Sequence, residues 1–119
     1  MRSGSAYVPD RGDLVWLQFD PVLGHEQGGR SPALVLSPIE YNRISGLMFA
    51  CPITRQAKGY RFEVPISIRG TEGAILSDHA KNLSWMDRKA DYIGRAHPDI
   101  VETVIANIIE LMGNPQNGR

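Results

Sequence analysis

The stretch Gly24 to Pro38, GHEQGGRSPALVLSP, passes from a glycine-rich polar loop straight into a run of small and branched apolar residues, Pro32 to Leu36. The apolar run reads as a buried strand, so a loop that can change shape is joined to a rigid core element. Gly24, Gly28 and Gly29 allow backbone conformations closed to other residues and a close approach to a ligand, while Glu26, Gln27 and Arg30 supply an acid, an amide and a cation nearby. Such a loop can grip something polar. Taken alone, its composition is also that of an ordinary surface loop.

Working outward, Gly12 to Phe19 reads as a strand with Val15, Leu17 and Phe19 on one face and Leu14 and Trp16 on the other. Apolar residues on both faces predict burial on two sides, with Trp16 in the core. After Ser37 and Pro38, the segment IEYNRISG predicts one or two helical turns closed by Gly46. Leu47 to Ile53 is a third strand. Arg61 to Ile66 is a fourth, and Pro65, which lacks a donor, places it at a sheet edge or bulge. Gly70 to Gly73 reads as a turn, Ala74 to Leu76 and Ala80 to Trp85 as short strands, and Asp87 to Arg95 has no decided state. The last element is a helix opened by Pro98 and stopped by Gly113 and Pro115. Its stripe of Ile100, Val101, Val104, Ile105, Ile108, Leu111 and Met112 is expected to pack on the sheet. Short strands followed by a late helix make a mainly β, α+β chain, a small antiparallel barrel or curled sheet.

The motifs in this order resemble the MazF and PemK family of bacterial toxin ribonucleases. The family carries a GxEQxGxRP loop running into a hydrophobic strand, after an upstream strand ending in FDP. Here the upstream part is GDLVWLQFDP, Gly12 to Pro21, and the downstream part continues through CPIT, Cys51 to Thr54, and KGYRFEV, Lys58 to Val64. One departure stands out. Where the family has Arg before the proline this chain has Ser31, with Arg30 one place earlier. The resemblance implies an SH3-like barrel with a C-terminal helix that forms homodimers. It also implies a metal-independent endoribonuclease that cuts single-stranded mRNA to 2′,3′-cyclic phosphate and 5′-OH ends, and an acidic, partly disordered antitoxin segment that blocks the loop. A gyrase-poisoning toxin of the same fold, or a catalytically silent nucleic-acid- or antitoxin-binding module, are the competing readings.

Composition bounds what else the chain can be. At 119 residues it reads as one domain, with loose tails at 1–6 and 114–119, and 42% hydrophobic residues leave no room for disorder throughout. Thirteen basic and thirteen acidic residues cancel, so nucleic acid cannot be held by gross charge and needs a local patch. Arg43, Arg55, Lys58 and Arg61 form such a run with no intervening acid, whereas Asp99, Glu102 and Glu110 lie in the C-terminal segment. The single cysteine, Cys51, excludes an internal disulfide and reads as a buried inert thiol in a cytoplasmic protein. No signal peptide or membrane span is expected.

His25, His79 and His97 are scattered and Cys51 has no CxxC partner, so neither a metal site nor a cofactor is expected. RNA cleavage without a metal asks only for groups that take a proton from the 2′-OH, stabilise the crowded phosphorus centre and protonate the leaving oxygen. The resemblance assigns the loop cation to the position of Ser31 and a hydroxyl to Thr54, and it maps the loop acid onto Glu26. Arg30 is the available substitute cation, although a shift of one residue turns a side chain to another side of an extended backbone. Arg55 and Lys58 are candidates for RNA backbone contact. Gln27, Gln56, Tyr60, Asn82 and Trp85 are candidates for reading unpaired bases.

Overall fold

The computed structural model describes residues 7–18 and 29–113. Its elements are β1 (Asp13–Gln18), β2 (Arg30–Val35), α1 (Ile39–Ser45), β3 (Leu47–Thr54), β4 (Glu63–Ile68), β5 (Thr71–Leu76), a 3-10 turn at Ser77–His79, β6 (Lys81–Ser84), β7 (Asp91–Arg95) and α2 (Pro98–Met112). All strand pairs are antiparallel, in the order β4-β5-β3-β2-β1-β7.

β3 organises the sheet because it is shared by three neighbours. Its Ala50 to Pro52 segment pairs with β2, its first half pairs with β6, and its last two residues, Ile53 and Thr54, pair with Ile75 and Ala74 of β5. The sheet therefore divides at the end of β3, and the β4–β5 hairpin folds away from β6 to make a half-barrel. Alternation along the strands then yields two apolar layers. Leu14, Leu34, Cys51, Ile53, Val64, Ile66 and Ile75 face α2, which contributes Val101 and Val104. Val15, Leu17, Ala33, Val35, Met48 and Ala50 form the opposite layer with Tyr7 and Trp85 against them. Burial of β1 on both faces, expected from its sequence, follows from its contribution to both layers.

Several boundaries differ from the sequence reading. β1 begins at Asp13, β4 runs from Glu63 to Ile68 rather than Arg61 to Ile66, and β5 begins at Thr71. The turn is Arg69–Gly70, with Ile68 paired to Thr71, so the glycine and charge of TEG sit inside a strand. β4 is an edge, which accommodates Pro65. The undecided segment 87–95 supplies β7, tied to β1 through the buried Asp13, whose carboxylate accepts bonds from Arg95 Nη1 and the Tyr7 hydroxyl, each at 2.7 Å. Helix α1 ends at Gly46 in a left-handed conformation, φ 75°, as predicted. Its buried Asn42 donates to the carbonyls of Pro9 and Ser37 and accepts from the Ser37 hydroxyl. In α2 the His97 Nδ1 caps the first turn by accepting from Asp99 N. The stripe of α2 is shorter than expected: Leu111 and Met112 are exposed, and the helix packs through Val101 and Val104 with Ile100, Ile105 and Ile108 partly buried beside them.

Candidate functional site

The end of β3, the start of β2 and the β4–β5 hairpin enclose a cleft of about 470 Å³. Arg30, Ser31 and Pro32 form one wall, Thr54, Arg55 and Gln56 another, and Ile66, Ile68, Arg69, Thr71, Glu72 and Gly73 the third, with Trp16 between them. The Thr54 hydroxyl oxygen accepts a bond of 3.0 Å from the Gln56 backbone N–H. That bond fixes the oxygen and leaves its proton for another acceptor.

The pairing of β2 with β3 sets Ala33 opposite Pro52 and Leu34 opposite Cys51. That pairing ends at Ala33 and Pro52, and Ser31 and Thr54 lie beyond its end as lining of the same cleft. Arg30 lies on the Trp16 side of β2, where its guanidinium is 5.0 Å from the centre of the Trp16 ring and 3.7 Å from an Asp91 oxygen. Both residues line the cleft because β2 starts at its rim. Ser31 and Pro32 also form the ridge to a second concavity of about 510 Å³ that contains His79, Lys81 and Arg88.

Thus Arg30, Ser31, Thr54, Arg55 and Gln56 come together in one cleft. Glu26 and Gln27 lie outside the described residues, as do Phe19 and the two tails. Lys58 and Tyr60 are exposed in the β3–β4 loop and are not part of the cleft lining; the backbone N–H groups of Lys58 and Gly59 donate to the Glu63 carboxylate. Arg61 is ion-paired with Glu110 on α2, so the basic run is not one continuous patch. Asn82 donates to the Tyr41 hydroxyl and the Trp85 indole to the Asn42 carbonyl, both away from the cleft.

Trp16 is a correction: it is half-buried, packs on the first apolar layer and also lines the cleft. It stands opposite Pro32 of β2 on the wall of an open cleft, and two-sided hydrophobicity cannot distinguish that position from full burial. Arg69, Glu72 and Gly73 were not singled out from sequence. A two-residue hairpin reading of Arg69–Gly70 would have placed the flanking residues in paired strands. Cys51 is fully buried, and burial and the Asp78 charge push its thiol up to about 12, which keeps it protonated and unreactive. No cluster of His, Cys, Asp and Glu that could hold a metal occurs among the described residues, and no helix among them is long and apolar enough to cross a membrane.

Residues 10–112 match the profile of a family described as PemK-like, MazF-like toxin of type II toxin-antitoxin system. The chain is 44% identical over 109 residues to the endoribonuclease toxin MazF of Escherichia coli (strain K12), covering 92% of this chain and 98% of that protein. It is 34% identical over 105 residues to the endoribonuclease toxin ChpB of the same strain, covering 83% and 90%. Among solved structures, MazF (Form-I) from Deinococcus radiodurans superposes with a TM-score of 0.80 at 50% identity, covering 91% of this chain and 99% of that one. A MazE-MazF structure (Form-II) from the same organism gives 0.79 at 46% identity, covering 90% and 97%.

Proposed function

The chain belongs to the PemK-like, MazF-like family of type II toxins, and from that premise we propose that it is an endoribonuclease that cuts single-stranded RNA in the cleft around Thr54. The observation that carries this reading is the convergence of a fixed hydroxyl, Thr54, with the cations Arg30 and Arg55 and the amide of Gln56 in one open cleft.

The RNA supplies its own nucleophile. The 2′-oxygen attacks the adjacent phosphorus, the bond to the 5′-oxygen of the next nucleotide breaks, and the products carry a 2′,3′-cyclic phosphate and a 5′-OH. Thr54 donates its hydroxyl proton to a non-bridging phosphate oxygen, and the guanidinium groups stabilise the negative charge that builds there. Proton transfer falls to the loop acid, Glu26, by resemblance to the family. At Ser31 a short neutral hydroxyl replaces the cation of the family pattern, so the cleft carries less charge at its centre and the enzyme is slower than its relatives. The working unit is a homodimer, and an antitoxin with an acidic segment neutralises it by covering the cationic cleft.

The test is to incubate the protein with a long single-stranded RNA, with and without EDTA. Discrete fragments with cyclic-phosphate ends that persist in EDTA are expected. Cleavage abolished by EDTA would refute the metal-independent step, and intact RNA with both this chain and Ser31→Arg would refute the activity.

A further inference from the structure

Arg69 occupies the first position of the two-residue turn between Ile68 and Thr71. Its φ is 51°, followed by Gly70 at 82°, a turn in which Asn, Asp or Gly is favoured at the place taken by this long side chain. The guanidinium crosses from the hairpin tip to β7, where Nη2 donates to the Ile93 carbonyl at 3.1 Å. That bond uses one of five N–H donors and fixes the direction of the rest. Three arginines have their charge matched, Arg30 at 3.7 Å from Asp91, Arg95 at 2.7 Å from Asp13 and Arg61 paired with Glu110, whereas Arg55, across the cleft, has no ion pair among the described residues. Arg69 makes no ion pair among the described residues, not even with Glu72, the carboxylate that lines the cleft beside it.

A held guanidinium without a carboxylate, in a strained turn at the edge of a cleft, is suited to an anion. We infer that Arg69 binds the phosphodiester next to the one that reacts at Thr54, and so positions the RNA strand along the cleft. This inference rests on the ribonuclease reading above. Arg69 is a substrate-binding residue that acts before the chemical step, and it adds a third cation to Arg30 and Arg55 around Thr54.

The cut site is first mapped on a long RNA, using Ser31→Arg where cleavage by the unaltered protein is too slow to follow. Binding is then measured by fluorescence anisotropy over a range of salt. The probe is a short RNA centred on that site, with 2′-deoxyribose at the attacking nucleotide so that it cannot be cut. Arg69→Gln removes the charge but keeps an N–H for the Ile93 carbonyl, and Arg69→Lys keeps the charge. For Gln the slope of log K against log salt should be shallower by roughly 0.7, the contribution of one phosphate on a single strand. Affinity should fall about 5- to 10-fold, with KM raised more than kcat is lowered, on the scale of one lost charge-assisted contact. Lys should retain the slope. An unchanged slope for Gln, or equal losses for Gln and Lys, would overturn the role of Arg69 while leaving the ribonuclease reading intact. A fall in melting temperature with no change in slope would assign Arg69 to holding the hairpin alone. No cleavage by either protein would refute the ribonuclease reading, and the inference with it.

Discussion

A Cβ built on Gly73 would lie 2.7 Å from the carbonyl oxygen of Thr54. The backbone of β5 thus passes the end of β3 at a distance that only glycine permits, and it does so at the residue proposed to donate to the phosphate. Gly73→Ala must push the hairpin away from Thr54, since the obstructing atom is backbone and cannot rotate aside. We expect a stability loss of about 1–3 kcal/mol and a fall in cleavage rate of roughly 10-fold or more, because small displacements of reacting groups are costly. Melting temperature and single-turnover rates on one RNA check this; an unaltered rate would show that the position of Thr54 does not depend on β5.

Thr54→Ala should abolish most cleavage while leaving the fold intact. The side chain is half-buried at a strand end, and among the described residues its bond is the one from Gln56 N, near solvent. The rate should fall by a factor of roughly 10² to 10³, the usual effect of removing one preorganised donor. Circular dichroism identical to that of the parent, with cleavage unchanged, would remove Thr54 from the mechanism.

Ser31→Arg should raise activity by a similar factor of roughly 10². Residue 31 lines the cleft with Thr54, whereas the guanidinium of Arg30 in the same cleft is held against Trp16 and near Asp91. A guanidinium at position 31 would bring five donors and a permanent charge where serine has one donor and none. Equal rates for the two proteins would show that Arg30 or Arg55 already fulfils this role.

Asp13→Ala should destabilise the protein by about 2–3 kcal/mol without touching the cleft. It would remove the carboxylate that accepts from the Tyr7 hydroxyl, the Asp10 N–H and the Arg95 guanidinium. Urea unfolding measures the loss, and a change below about 0.5 kcal/mol would mean that the β1–β7 contact is held by its backbone alone.

Cys51 makes stability depend on alkaline pH. Its thiol is held protonated up to about 12 in the fold, against 9.0 for the unperturbed group. Between those values the unfolded chain releases a proton that the native state keeps, so the contribution of the buried neutral thiol is complete below pH 9 and is lost as pH rises toward 12. Cys51→Ala should flatten that part of the stability profile, and the native thiol should resist iodoacetamide at neutral pH until the protein unfolds. An equal alkaline slope in parent and variant would count against the assignment.

The sequence by itself determined the family, the strand-rich order and the glycines that stop both helices, because linear motifs and alternation are local properties. It did not determine what covers each face. Trp16 reads as core yet lines the open cleft, and Leu111 and Met112 read as packed yet are exposed. Arg69 and Gly73 carry no linear signal of their site. They line the cleft with Thr54 because β3 pairs with β5 through its last two residues, a contact between segments far apart in the chain. Periodicity records which side of an element is apolar; the partner on that side is set by the way the whole sheet bends and closes, and it is this closure that builds the cleft.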